Sequence, residues 1–430
     1  MDVAAEIRDP IHGYIDVTDL EKQIIDTSVF QRLRRIRQLS GAHLTYPGAQ
    51  HSRFEHSVGA MHLSGLVTRS LSSKIDLPEN EKQELRLAAL LHDVGHGPFS
   101  HLIEEVMSEK RNVNHEDITQ RVLKETEIRD IVADKGFDPQ ELAEFAIGLS
   151  AKKHRYMNEI IAGGLSVDIM DYLLRDSYFT GVEYGKVDIH RVINSFEIVD
   201  NRLSLDNAAL YAFEALMIAR YEMFRAVYFH RTVRAAEIML MKAITLADDE
   251  LQLTNTADLT RYISLTDETT LEKLVNIEPG SNQDLKRAKS LAENYRDRKL
   301  LKCVFERLVH RKDEFLERIF NQKKIRDELA REIARGAGVD PDLVYIDVPT
   351  TPSVPFTSAR QVLSTITLVS KVGDRTKHET VNVDDLTLIG AISGFFNIIR
   401  VYTTSEERPA VEEAANKFFG SESYANKISM

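Results

Sequence analysis

The stretch Leu90-Leu91-His92-Asp93-Val94-Gly95-His96-Gly97-Pro98-Phe99-Ser100-His101 sets three imidazoles and a carboxylate on one helix end and the turn that follows it. Those donors have the chemistry of a metal site. On the last turn of an apolar helix His92 and Asp93 lie about 100° apart, so both reach one ion held beside that helix. Gly95 and Gly97 are expected to stop the helix and Pro98 to open the next, whose N-terminus would favour a phosphate. A single His-Asp pair means little among 14 histidines, but nine of them fall in the first 115 residues. His92, His96, His101 and His115 form the densest run.

Two further segments offer ligands in unusual places. Arg53-Phe54-Glu55-His56-Ser57-Val58-Gly59 opens a helix on which His56 shares a face with Ala60, Leu63 and Val67, placing a polar ring on the buried side. Further on, Asp168, Tyr172, Arg175 and Asp176 form one helical stripe, with Ile169, Met170, Leu173 and Leu174 on the other side. Alone, a hydrogen-bonded core histidine and a solvated polar face would explain both. Beside the central cluster, they complete a ligand set.

The elements that must position these residues are mostly helices. Residues 11 to 17 alternate like a short strand, and helical periodicity dominates from about 19 to 330. Asp200-Asn201, between two short apolar runs, predicts a small hairpin over Phe196 to Leu205. From Asn207 to about Leu246 an apolar, aromatic-rich pattern predicts a long or broken core helix, and Ile277 to Asn282 reads as a loop. After about 335 the texture changes to strands at Val344 to Val348, Thr365 to Val369 and Ile398 to Tyr402, closed by a helix from Pro409 to Phe419. The expected fold is mainly α: a helical body over residues 1–330 with a smaller C-terminal α+β unit over 331–430.

Composition narrows the function classes. A chain of 430 residues with 43% hydrophobic and 28% charged residues is an ordinary globular protein. Its net charge of -12 disfavours duplex nucleic acid as a partner, while a small anion gathered by a metal and a few arginines stays compatible. One cysteine, Cys303, permits neither an internal disulfide nor a cysteine-rich zinc site. No basic leader and no run of about 18 apolar residues is seen, so a cytoplasmic protein without a membrane span is expected.

The order His56, His92-Asp93, Asp168 resembles the HD-domain metal-dependent phosphohydrolases. Asp9-Pro10-Ile11-His12-Gly13, Ile24-Ile25-Asp26-Thr27, Phe30-Gln31-Arg32-Leu33-Arg34, Phe54-Glu55-His56-Ser57 and the run from His92 to His101 look like the deoxynucleoside triphosphate triphosphohydrolase branch of that family. The likeness covers nearly the whole chain, by specific motifs in the first half and by texture alone in the last hundred residues.

That resemblance implies a helical HD core and a set of roles. His56, His92, Asp93 and Asp168 would bind a divalent metal; the donor types suit Fe, Mn, Co, Ni or Zn, and Mg where phosphates bridge. His101, tuned by Glu104 and assisted by His115, would protonate the leaving 5'-oxygen, and His96 would hold an α-phosphate oxygen. Gln38 and Asp176 match the pair that holds the 3'-hydroxyl, Leu39, Tyr172 and Tyr228 would crowd the 2' position, and Arg53 and Arg220 match phosphate-binding arginines. For Tyr228 simple core packing competes. Ile169 stands where the branch's animal enzyme has a phosphate-contacting lysine, and Phe229 where it has a base-side glutamine. Asp26, Gln31 and Arg34 match residues that read a GTP or dGTP effector between subunits, which implies a homo-oligomer, a tetramer by resemblance. The implied reaction converts a dNTP to a deoxynucleoside and inorganic triphosphate. The alternatives are an HD phosphohydrolase for a monophosphate, a cyclic nucleotide or an alarmone, and a catalytically silent nucleotide- or nucleic-acid-binding homologue.

Overall fold

The computed structural model describes residues 2–310, 322–348, 365–372, 375–392 and 395–420. The chain begins with an antiparallel hairpin, β1 (Ala5–Asp9) and β2 (Gly13–Val17), registered from Ala5 opposite Val17 to Asp9 opposite Gly13. The sequence pattern from 11 to 17 is therefore the second arm; β1 was not anticipated. Asp9 Oδ1 accepts the amides of Ile11 and His12, both at 2.9 Å, and Gly13 takes φ +78°, so side chain and glycine together close the turn.

Helices α1 (Asp19–Ile25) and α2 (Ser28–Gln31) follow, capped by Thr18 and Thr27. The body is built on α3 (Arg53–Leu71), α4 (Glu79–Leu91), α5 (His101–Arg111) and α6 (His115–Glu125). Helix α3 starts in a capping box between Ser52 and Glu55 and is buried along most of its length. It packs against α4 and against the helix Val167–Thr180. Leu63, Leu87, Leu90, Leu91 and Met170, each completely buried, lie in the core between these helices. The mainly helical fold is as the sequence pattern indicates.

Pro98 does not open a helix. Helix α5 begins three residues later at His101, after Phe99 and Ser100 take positive φ of 59° and 56°. Neither Gly95 nor Gly97 has positive φ; both are needed for close approach instead. A Cβ on Gly95 would stand 2.3 Å from the His115 carbonyl oxygen and from Thr119 N, and one on Gly97 2.3 Å from the Tyr262 hydroxyl.

The apolar run from 207 onward is a broken helix. An α-helix Leu210–Met223 continues as a π-turn, Phe224–Tyr228, and a new helix runs Arg231–Leu251. The hairpin at 196–206 forms as β3 (Phe196–Val199) and β4 (Arg202–Asp206), with Asp200 and Asn201 both at positive φ. Beyond it lie β5 (Lys302–His310), β6 (Tyr345–Asp347), β7 (Thr365–Val372), β8 (Arg375–Asn382) and β9 (Phe395–Thr403). Besides the β1-β2 pair, the described residues form a sheet of order β5-β9-β6 and one of order β3-β4-β7-β8, in which the β4/β7 pair is parallel. Strand β5 falls inside the stretch expected to be helical, and β8 was not anticipated. The closing helix runs Arg408–Phe419 with Pro409 at its first turn.

Candidate metal centre

Three segments bring four side chains to one point. His56 lies on the first turn of α3, His92 caps the end of α4 with Asp93 just past it, and Asp168 sits on the first turn of the Val167–Thr180 helix. His56 Nε2 is 3.5 Å from an Asp93 oxygen and 3.1 Å from Asp168 Oδ1. His92 Nε2 is 3.4 Å from Asp93 and 3.6 Å from the same Asp168 oxygen. Both Nε2 atoms are buried without a hydrogen-bond partner. Each ring's other nitrogen is held from outside: His56 Nδ1 by Asp171 Oδ2 at 2.8 Å, His92 Nδ1 by the Ala89 carbonyl at 2.7 Å. Two orphaned imidazole nitrogens facing two carboxylates, each ring oriented through its far side, fit a divalent cation.

The electrostatics agree with a cation there. Burial opposes ionisation of Asp93, but His92, Arg53 and His96 outweigh it and hold the carboxyl well below its usual range. Asp168, with part of its side chain open to solvent, is likewise lowered by His56 and His92, which outweigh its desolvation. Burial pulls the His56 imidazole down, yet Asp168 and Asp171 prevail and raise it to about 10, so with no ion bound the two carboxylates draw a second proton to the ring, which an ion at Nε2 would displace.

A second cluster adjoins the first through His96, whose Nε2 is 3.4 Å from Asp93 Oδ1. His101 and His115 occupy the first positions of α5 and α6. Glu104 joins them: His101 Nδ1 meets one of its oxygens at 2.9 Å and His115 Nδ1 the other at 2.7 Å. His96 and His115 stack at 3.9 Å, too close for both to be charged at low cost. Burial, Arg53 and His115 lower His96 well below its usual value, whereas for His115 the Glu104 charge overcomes burial and raises it. Glu104 itself is held far down by the two imidazoles against its burial. The pair thus divides, His96 being pushed toward its neutral form and His115 toward its charged one. His101 has a side chain 72% exposed, so its ring reaches open space.

The residues matched to the sugar and phosphates flank this centre. Asp176, nearly fully buried, accepts the Tyr228 hydroxyl at 2.7 Å and a bond from His51 Nε2 at 2.7 Å. Tyr172 and Tyr228 meet edge to face at 6.3 Å, and Arg220 bonds the Tyr172 hydroxyl. Tyr228 therefore has a polar partner beyond core packing. Gln38 is tied to His51 through its backbone amide, 3.0 Å from the His51 carbonyl, and its side-chain oxygen is buried without a partner. Leu39 is half-buried on the core. Arg53 is buried, its Nε on Ser100 Oγ at 2.7 Å and its Nη1 on Asp93. Ile169 and Phe229 are both buried.

The residues matched to an effector form a separate local group at the surface. Gln31 Nε2 donates to the Ile25 carbonyl at 2.8 Å, beside Asp26, and its oxygen accepts from Arg34 Nε at 2.9 Å. Arg34 lies over the Phe54 ring at 3.4 Å, and exposed Asp26 pairs with Lys22 at 2.8 Å.

Sequence reasoning missed four buried polar groups around the site. Arg32 points inward and donates to the carbonyls of Val94 (3.0 Å) and His96. Asp267 accepts the amides of Phe99 at 2.7 Å and Arg37 at 3.1 Å, holding the same turn from the other side. Asp171 and His51 orient His56 and Asp176. For Asp171 a signal was present, since three residues after Asp168 it belongs to the next turn of the same helix.

Residues 53–176 match the model of the HD domain, and residues 187–429 that of the HD associated region. The chain is 32% identical over 354 residues to the deoxynucleoside triphosphate triphosphohydrolase SAMHD1 homolog of Dictyostelium discoideum, covering 77% of this chain and 65% of that one. It is 37% identical over 242 residues to the uncharacterized protein YwfO of Bacillus subtilis strain 168, covering 55% and 54%. The chain thus spans between half and two thirds of the length of these curated relatives. The crystal structure of a hypothetical protein from Aquifex aeolicus superposes with a TM-score of 0.75 at 29% identity, covering 96% of this chain and 99% of the other.

Proposed function

Because the chain belongs to the HD-domain deoxynucleoside triphosphate triphosphohydrolase family, we propose that it hydrolyses a dNTP to a deoxynucleoside and inorganic triphosphate. The observation that carries the reading is the meeting of two half-sites at Asp93. One side of it holds the buried His56 and His92 nitrogens with Asp168; the other holds the proton-handling set His96, His101, Glu104 and His115. A divalent ion on the first side supplies Lewis-acid polarisation of a phosphate oxygen and an acidified water.

The chain's own groups supply the rest. His101 donates to the departing 5'-oxygen from Nε2, with Glu104 holding its Nδ1 at 2.9 Å. His115, whose proton affinity Glu104 raises, favours negative charge beside that oxygen. His96, whose Nδ1 is buried without a partner, holds the α-phosphate oxygen. Asp176 and Gln38 hold the 3'-hydroxyl, and Tyr172, Tyr228 and Leu39 leave no room for a 2'-hydroxyl. Arg53 and Arg220 face the phosphates. Ile169 and Phe229, apolar and buried, bring neither a charge to the phosphates nor a hydrogen bond to the base, so grip and base preference rest on other residues.

Asp26, Gln31 and Arg34 form a guanine nucleotide site at an interface between copies of this chain, assembled as a tetramer. Carboxylate acceptors meet the guanine N1 and N2 donors and the guanidinium meets O6 or N7. We place the enzyme in the cytoplasm; among the described residues no helix is long and apolar enough to cross a membrane.

The test is a panel of dNTPs, NTPs, monophosphates and cyclic nucleotides with Mn, Mg, Fe, Co, Ni and Zn, with and without GTP. Release of triphosphate from dNTPs alone is expected, lost together with bound metal in His92→Ala. Turnover confined to monophosphates or cyclic nucleotides would overturn the substrate assignment.

A further inference from the structure

The motif Asp9-Pro10-Ile11-His12-Gly13 has no role in the chemistry above, yet it reaches the back of the metal centre. Its turn is built by Asp9, whose Oδ1 holds the amides of Ile11 and His12 and whose Oδ2 accepts Arg175 Nη1 at 2.8 Å. His12 Nε2 meets Asp171 Oδ1 at 2.7 Å. Arg175 makes two further bonds to Asp171, Nε to Oδ2 and Nη2 to Oδ1, both at 2.9 Å. With His56 Nδ1 on Oδ2, the Asp171 carboxylate takes part in four hydrogen bonds, two at each oxygen, about its full capacity. Asp171, Arg175 and His56 are all fully buried. Gly59, one turn beyond His56 on α3, makes the space: a Cβ there would stand 1.9 Å from Asp171 Oδ1 and 2.5 Å from Arg175 Nη2.

We infer that His12 is a positioning residue for the metal ligand His56, acting through Asp171. The carboxylate sees four donors from three parts of the chain, and its orientation is set by all of them. Arg175 alone lies on the same helix as Asp171 and moves with it. His12, brought in by the N-terminal hairpin, is the donor that registers Asp171 against the rest of the body. A correctly turned Asp171 keeps the proton on His56 Nδ1, which leaves the Nε2 lone pair for an ion. The hairpin is thereby an outer brace of the centre, although it is more than forty residues from the first ligand in sequence. Its neighbour in the brace is His62, whose ring lies 5.2 Å from that of His12.

This inference rests on the metal-site reading, and the experiment separates the two. Metal-free protein is titrated with Co²⁺, following the visible absorption of the bound ion, in wild type, His12→Ala, His12→Gln and His12→Asn. Glutamine places an amide nitrogen near the position of the imidazole Nε2, and asparagine falls short of it. His12→Ala and His12→Asn are expected to weaken Co²⁺ binding on the order of tenfold or more and to change the absorption envelope, while His12→Gln recovers most of both. Circular dichroism confirms that each variant is folded. Wild-type affinity in folded His12→Ala overturns the inference, and so does equal affinity of the glutamine and asparagine variants should alanine fail to fold. Failure of wild type itself to bind Co²⁺ would instead overturn the metal site.

Discussion

Substituting Gly95 by alanine should separate the two half-sites without dismantling either. Gly95 has an ordinary φ, so alanine meets no backbone strain; the obstacle is the packing of the turn against α6. The new Cβ would stand 2.3 Å from the His115 carbonyl oxygen and 2.3 Å from Thr119 N, where ordinary contact begins at 3.4 Å. Both are backbone atoms of α6, so no side chain can swing aside and the helix must retreat by about 1 Å, a displacement that costs roughly 100-fold in rate at a catalytic centre. Overpacking of this kind costs about 1–3 kcal/mol of stability. The metal ligands come from α3, the end of α4 and the Val167–Thr180 helix, and the Thr119 hydroxyl ties α6 to them only at the backbone, through the His92 carbonyl at 3.2 Å. The expected outcome for Gly95→Ala is a kcat about 100-fold lower with metal affinity within a few-fold of wild type, read by turnover and metal titration on the same preparation. Full activity, or parallel loss of metal and turnover, would refute the reasoning.

Further outcomes are expected elsewhere in the molecule. Arg32→Ala leaves the buried Val94 and His96 carbonyls without their donor and should lose about 2–4 kcal/mol in urea unfolding; a loss under 0.5 kcal/mol would show that Arg32 does not pin the turn. Glu237 is half-buried between Ser40 and Arg234, and its desolvation raises its carboxyl to about 7. A carboxyl raised on folding stabilises the protein below its unfolded pKa of 4.5, and that contribution is lost as pH rises through 7, up to roughly 3 kcal/mol over the window. Glu237→Gln should therefore gain on wild type between pH 5 and 7.5 in denaturant melts, and a gap constant with pH would contradict this. Tyr228→Phe removes one donor from buried Asp176, so KM for dNTPs should rise about tenfold, with steady-state kinetics as the check.

What the sequence made legible is what local spacing encodes. His56 on an apolar face, His92 next to Asp93 and the polar stripe from Asp168 each follow helical periodicity, and the two imidazole Nε2 atoms do come within 3.6 Å of the Asp93 and Asp168 carboxylates. Asp200-Asn201 marked a turn because two positive φ values need such residues. Long-range pairing left no comparable trace. Strand β5 reads as helix until β9, some ninety residues later, supplies its partner. Gly95 and Gly97 looked like helix terminators, because nothing local reports that another backbone or a tyrosine will approach to contact distance. Arg32 gave no local sign of burial, since its inward direction depends on the carbonyls of a turn sixty residues away. The brace from His12 to Asp171 spans 159 positions, and only the folded chain closes it.

The central claim is hydrolysis at the α-phosphorus by the metal-bearing half-site. Turnover of a dNTP in water enriched with oxygen-18, with products separated and weighed by mass spectrometry, tests it most directly. One solvent oxygen in inorganic triphosphate, an unlabelled deoxynucleoside and no label transfer in His92→Ala are predicted. Label in the deoxynucleoside 5'-hydroxyl, or release of orthophosphate or pyrophosphate in place of triphosphate, would contradict the account.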